Sequence, residues 1–429
     1  MKRSNSKSAL ALNGGKRSVR SKIRPANPIG MRELIAVCSV LRSGILSKFV
    51  GEWNEDFFGG PRVKEFEAKC ENYFGVKHAI TVNSWTSGLI CAVGALDIEP
   101  GDEIIVPTWT MSATAMAVIH WCAIPIFADI NLETYCMDPI DVERRITSKT
   151  KAIIAVDIFG NSAAMDEILY LAEKYSLKVI SDSAQSPGAK YRNKYAGTLA
   201  DIGGISLNYH KHIHTGEGGV LFTNSDNLAL RMRLIRNHGE SVVVGMDYEE
   251  INNIIGFNFR MGEIEAAIGK HQLGRLETIV QRKRHLANRL ICGIKDLPGI
   301  IVPEIDSDVR HVYYVIPIRL VKEVVKVDRN YILDALEAEG VPGIERGYKL
   351  LHMLPMFQKR IAYGNRHFPF NMSELESLTS YLPGACPVAE KLHYETFFSI
   401  ALTSFEFSER NIDEIILAFR KVWQSFEQS

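Results

Sequence analysis

Residues 177–224 read LKVISDSAQSPGAKYRNKYAGTLADIGGISLNYHKHIHTGEGGVLFTN. Three short apolar runs, at 177–183, 201–207 and 218–224, are separated by turn residues and are too short for helices, so each predicts a strand. The first ends on Asp182, with Gln185 three residues on. The second ends on Ser206, with Lys211 five residues on, flanked by His210, His212 and His214 and followed by a glycine cluster.

Upstream the same rhythm continues. The runs HAITVN (78–83), DEIIVP (102–107), IPIFADI (124–130) and KAIIAVDIFG (151–160) read as strands. Between them lie helix-like stretches such as TSGLICAVGAL (86–96), SATAMAVIHW (112–121), DPIDVERRI (138–146) and MDEILYLAEKY (165–175). The alternation predicts an α/β fold, a mostly parallel seven-stranded sheet with helices on both faces. Ligands of such sheets sit at the carboxyl ends of the strands. There the sequence places Ser84, Thr86, Trp109, Asp157, Asp182, Gln185, Ser206 and Lys211.

After a long amphipathic stretch at 256–290 the pattern changes. HVYYVIPIRL (311–320) alternates as a strand, and ERNIDEIILAFRKVW (409–423) reads as a closing helix with Asn411 as its cap. This predicts a basic N-terminal arm over 1–32, a large domain over 33–285 and a smaller α+β domain over 286–429.

A chain of 429 residues, 46% hydrophobic and 23% charged, is long enough for two cores. The seven cysteines are scattered and odd in number, which suggests neither a disulfide framework nor a metal knuckle. No apolar run approaches a membrane span. Every charge before Glu33 is basic, so the neutral total hides a positive arm and a negative body. The arm is expected to be mobile or to lie on that acidic body. No basic stripe interleaved with aromatics marks a nucleic-acid platform. A soluble, cytoplasmic protein with neither nucleic-acid nor membrane partners is expected.

The strand-end residues suggest one chemistry together. A lysine amine condenses with an aldehyde cofactor, and a pyridine ring serves as electron sink when a buried carboxylate keeps its nitrogen protonated. Lys211 and Asp182 suit those roles. Ser84, Thr86 and Ser87 offer hydroxyls at a helix start where an anion binds, and Trp109 offers an aromatic face. Each has an ordinary reading too: a turn-capping aspartate, an N-cap, a core tryptophan. On an extended segment the three histidines would point to one side and could gather zinc, with Glu217 as general base. That alternative leaves Asp182, Gln185, Ser206 and Trp109 unexplained; the histidines otherwise line a pocket or stack beside the lysine.

The ordered motifs DSAQSPGAKYRNKYAGTLADIGGISL, KHIHTGEGG and IRNHGE, with GFNFRMGEIEAAIGKHQL and CPVAEKL, resemble the DegT/DnrJ/StrS family of sugar aminotransferases from about residue 33 onward. The resemblance implies the aspartate aminotransferase-like fold (fold type I) and pyridoxal 5'-phosphate as cofactor. It implies Lys211 as the Schiff-base lysine, Asp182 at the ring nitrogen and Gln185 at the ring hydroxyl. Ser206, Thr86 and Ser87 then fall at the phosphate and Trp109 over the ring. Asn258 corresponds to an asparagine reaching the phosphate from a neighbouring subunit, which implies a homodimer with its site at the interface. His210, His238 and His352 fall on the substrate side.

The implied reaction moves an amino group from L-glutamate or L-glutamine to a keto-sugar, as a nucleotide-linked 3- or 4-keto-deoxysugar, in amino-sugar, polysaccharide or secondary-metabolite biosynthesis. A keto-cyclitol acceptor is the alternative, because LALNGGKRSVRSKI (10–23) resembles the arm of cyclitol-type members. Members with histidine in place of the lysine run sugar dehydration; here the register gives Lys211, with His210 one residue earlier. A regulator without chemistry would not need the amine. One departure stands out: where the family has glycine in an SGT turn, this chain has Trp85, which would strain the turn if that residue took a positive φ.

Overall fold

The computed structural model describes residues 9–373 and 377–426. Its main sheet has seven strands: β1 (His78–Val82), β2 (Glu103–Pro107), β3 (Ile124–Ala128), β4 (Thr150–Val156), β5 (Lys178–Asp182), β6 (Ile202–Ser206) and β7 (Gly219–Thr223). They lie in the order β1-β7-β6-β5-β4-β2-β3. Only β7 runs against the others, pairing antiparallel with β1 and β6. The α/β, mostly parallel sheet read from the sequence is therefore present. Its strands are apolar at nearly every position and buried along their length, as a sheet covered on both faces requires.

The covering helices are α1 (Met31–Ser43), α2 (Pro61–Phe74), α3 (Trp85–Ala95), α4 (Ala113–His120), α5 (Pro139–Arg145), α6 (Met165–Tyr175) and α7 (Asp226–Arg236). A buried ion pair fixes α2 and α7 to β1: Arg236 reaches Glu67 at 2.9 Å and the Thr81 carbonyl at 3.1 Å, while Thr81 donates from its amide and hydroxyl to Glu67. That anchor holds the strand leading into the β1–α3 turn.

A second sheet, wholly antiparallel, is built from Ile300–Ile301, Val315–Leu320, Phe397–Ala401 and Ile344–Glu345. It packs with helices Leu276–Ile294, Arg329–Ala338 and Glu409–Phe426 around its own apolar core. Later parts of the chain return to the first core, where Leu351, Phe357, Tyr381 and Phe397 pack with strand residues such as Ile105 and Ile153.

Three local readings change. The stretch at 256–290 is not one helix: Glu263–Leu273 and Leu276–Ile294 are separated at Gly274–Arg275. Asn411 lies inside the closing helix, and Ser408 caps it; Asn411 accepts from the Ser408 amide at 2.8 Å and donates its own amide back to Ser408 Oγ at 3.2 Å. The arm, of which residues 1–8 lie outside the described residues, rests on the small sheet's helices from Ala9 onward. It docks less by its basic side chains than by its backbone. Ala11 and Ser18 amides donate to Glu339 at 2.8 and 2.9 Å, and Arg20 and Ser21 amides to Glu414 at 2.9 and 2.8 Å. Arg24–Pro25 then pairs with Phe405–Glu406.

Candidate active site

Lys211 follows β6 on a loop tied at its neck. Leu207 donates to the Gly218 carbonyl at 2.9 Å and Thr215 to the Leu207 carbonyl at 3.0 Å, and Gly216 takes the left-handed conformation (φ 89°) that closes the loop. Within it, the Lys211 amide bonds the Asn208 carbonyl at 3.0 Å, a turn rather than an extended segment. The three histidines therefore do not share a side. His212 is buried against the Val312 carbonyl at 2.9 Å, His214 accepts from the Gly216 amide at 3.2 Å, and His210 packs edge-on to Tyr209. Burial pushes His210 and His212 down to about 4, so neither carries charge at neutral pH.

The Lys211 amine lies 4.6 Å from the centre of the Tyr314 ring. Burial lowers it to about 8, and the negative charge of Asp182 opposes that shift. An amine so placed is half neutral near pH 8, far more than a free lysine would be, and so supplies a nucleophile.

Asp182, at the end of β5, is buried and held by three donors that carry no charge. Oδ1 accepts from the Trp85 indole at 2.6 Å and the Ala184 amide at 3.2 Å; Oδ2 accepts from Thr114 Oγ1 at 3.1 Å. Burial raises its carboxyl, against which the hydrogen bonds and the charge of Lys211 act. Beneath it Asp157, directly after β4, is held by Ser181, Ser183 and the Ala163 amide and is pushed by burial to about 6. Gln185, three residues beyond Asp182, accepts from the Phe159 amide at 2.8 Å and donates to the Tyr348 hydroxyl at 3.1 Å.

Helix α3 begins directly after β1. Ser84 is extended (φ −159°, ψ 158°) and caps the Ser87 amide at 3.1 Å, while Trp85 is already the first helical residue. The turn needs no left-handed residue, so Trp85 imposes no backbone strain. The Ser87 hydroxyl is taken up by Asn83 Oδ1 at 2.7 Å and by Ser84 at 2.9 Å, which removes it from the anion-binding set read from the sequence. Thr86 is exposed at the second helical position. Ser206 is buried at the end of β6 and accepts from the Asn208 amide at 3.3 Å. Asn258 lies in a segment running beside this turn of its own chain, with Asn83 donating to the Asn258 carbonyl at 3.5 Å. Its side chain is exposed and bound to Arg260 at 2.6 Å.

Two sequence assignments are overturned. Trp109 is 1% exposed, edge-on to Phe397, Tyr135 and Phe159, so no face of it is open to a cofactor ring. Met111, two residues on, is 52% exposed instead. His352 is fully buried, with one ring nitrogen 2.5 Å from Thr108 Oγ1 and the other 3.1 Å from Glu390, and has no surface for a substrate. His238 remains partly exposed beside Glu240, at 3.7 Å. Sequence reasoning missed Trp85, Thr114, Tyr314 and Tyr348. The one signal for Trp85 was the Gly203–Gly204 pair inside β6, since glycine within a strand marks the close approach of another group.

The profile of the DegT/DnrJ/EryC1/StrS aminotransferase family matches residues 51–397. The chain is 34% identical over 352 residues to the spore coat polysaccharide biosynthesis protein SpsC of Bacillus subtilis, spanning 80% of this chain and 87% of that protein. It is 36% identical over 299 residues to GDP-perosamine synthase of Caulobacter vibrioides, spanning 70% and 79%. The crystal structure of a DegT DnrJ EryC1 StrS aminotransferase from Brucella abortus superimposes with a TM-score of 0.75 at 29% identity, over 91% of this chain and 94% of that one.

Proposed function

This chain belongs to the DegT/DnrJ/EryC1/StrS aminotransferase family of pyridoxal-phosphate enzymes, and on that premise we propose that it aminates a nucleotide-linked keto-sugar, with L-glutamate or L-glutamine as donor. The observation that carries the chemistry is the pairing of Lys211, its amine brought down to about 8, with the buried carboxylate of Asp182. The acceptor class rests on similarity to GDP-perosamine synthase.

The donor set fits the cofactor. Asp182 meets only uncharged donors at hydrogen-bonding distance, leaving its negative charge to be balanced by Lys211 and a protonated ring nitrogen. Thr86, Ser206 and the start of α3 would hold the phosphate, where free helix amides favour an anion. Gln185, fixed by Phe159 and Tyr348, would lie at the ring hydroxyl. When bound, the cofactor supplies an aldehyde that exchanges between amines and a ring that accepts the electron pair left when a carbon loses its proton. Lys211 does the rest: its amine takes the proton from the donor's α-carbon and returns it on the other side of the exchange. Asp182 keeps the ring nitrogen protonated throughout. A cavity of about 320 Å3 touches Lys211 and is lined by Arg275, Arg282 and Lys283 together with Glu406.

The active unit we propose is a homodimer. Helix α1 exposes Met31, Leu34, Ile35 and Leu41, an apolar face that a second copy would cover.

The test is an absorbance spectrum of the purified protein with pyridoxal phosphate, before and after L-glutamate, followed by the GDP-, dTDP- or UDP-linked 4-keto-sugar and an assay for the aminated product. A visible band that shifts with glutamate and returns with one keto-sugar is expected, and Lys211→Ala should show neither. No band, or a band indifferent to glutamate and glutamine, overturns the reading.

A further inference from the structure

Trp85 stands at the start of α3, yet its indole runs inward across the sheet. A Cβ on Gly204 of β6 would come within 2.5 Å of its ring, one on Gly88 within 2.9 Å of its ring, and one on Gly219 of β7 within 2.9 Å of its Cα. Gly88 and Gly204 thus clear the slot for the ring, while Gly219 lets β7 approach the backbone at the helix start. At its end the indole N–H meets Oδ1 of Asp182 at 2.6 Å, and the side chain is 6% exposed.

The chemistry of the two Asp182 oxygens differs. An indole N–H only donates, so Oδ1 cannot carry a carboxylic proton while facing it. Oδ2 faces the Thr114 hydroxyl, which rotates to donate or accept. We propose that Trp85 is a positioning residue for the cofactor: its N–H fixes Oδ1 of Asp182 as an acceptor and, as a donor to the charged form, favours the oriented, ionised carboxylate that a ring nitrogen needs. The proposal rests on the aminotransferase reading above. Around Asp182, Lys211 of the loop contributes positive charge, Asp157 just after β4 contributes negative charge and the Tyr348 hydroxyl lies within its field. Removing the indole donor lets Asp182 take up a proton at higher pH.

The experiment compares wild type, Trp85→Phe, Asp182→Asn and the double variant by the dissociation constant of pyridoxal phosphate from pH 5 to 9. Trp85→Phe should weaken binding about tenfold at pH 6, the scale of one hydrogen bond to a charged group, with the loss narrowing as pH rises. In the Asp182→Asn background the same substitution should change the constant by less than about twofold, because the amide still accepts from the indole but carries no charge for it to hold. An equal loss in both backgrounds, a loss independent of pH, or no loss overturns the proposal. Should Trp85→Phe not fold, tryptophan emission of the cofactor-free protein decides: it should titrate with pH in the wild type and not in Asp182→Asn, and identical titrations refute the coupling. Cofactor binding without coupling defeats this inference alone; a wild type that binds no cofactor defeats the reading beneath it.

Discussion

Replacing Lys211 with methionine should make the cofactor-free protein more stable while abolishing transamination. In the folded chain burial brings the Lys211 amine from 10.5 to about 8. The unfolded chain keeps its proton up to the ordinary value. Between those two pH values the unfolded state binds more protons, so stability rises with pH through the window, and below pH 8 the whole cost of burying the charge is present. A shift of this size corresponds to about 3 kcal/mol. That figure is an upper bound, because Lys211 keeps part of its surface in solvent. Methionine keeps an unbranched chain of similar length without the charge, so a gain of about 1–3 kcal/mol is expected at pH 7. Urea unfolding of wild type and Lys211→Met, both stripped of cofactor, at pH 7 and again near pH 10.5 measures it. The gain should shrink at the higher pH, where the unfolded chain also loses its proton. A variant no more stable than wild type at pH 7, or a gain that ignores pH, would show that the amine sits at no electrostatic cost and refute the reasoning.

Trp109→Ala should destabilise the cofactor-free protein by about 3–5 kcal/mol, the cost of emptying a buried aromatic site; unchanged unfolding with weakened cofactor binding would instead restore Trp109 to the ring face. Glu339 is wholly buried and accepts from Ala11, Ser18 and Lys421. Glu339→Gln should loosen the arm, raising the rate of tryptic cleavage at Arg17 and Arg20 by about tenfold. An unaltered rate would mean that the arm is held by its other contacts.

The sheet was legible because a parallel strand buried on both faces writes itself as an uninterrupted apolar run, and its carboxyl end is marked by the first polar residue. That rule drew attention to Asp182 and Ser206, and Lys211 was read from its spacing to Ser206 and the glycine cluster. The same rule misplaced Trp109, which also follows a strand directly. Past the end of β2 the chain leaves the sheet and periodicity no longer says which way a side chain turns; Trp109 turns into the aromatics of β4's loop and the returning segment at Phe397, while Met111 stays open. His352 was unreadable for a related reason. Its two partners, Thr108 and Glu390, lie 244 residues before it and 38 after it, so its burial is decided wholly by tertiary packing.

Trp85 shows how the two kinds of information meet. Read locally, a tryptophan where the family has glycine signals a strained phosphate turn. The structure removes the strain by starting the helix one residue after Ser84, and the bulk of the indole goes where Gly88 and Gly204 leave room. Each of those glycines is unremarkable in its own segment. Together they describe the shape of one side chain, and the atom at its tip lands on the carboxylate 97 residues away. A large residue at a helix start, paired with glycine in the strand it faces, is therefore better read as a side chain laid across the sheet than as a fault in the turn. Where it emerges locates the group it was placed to hold.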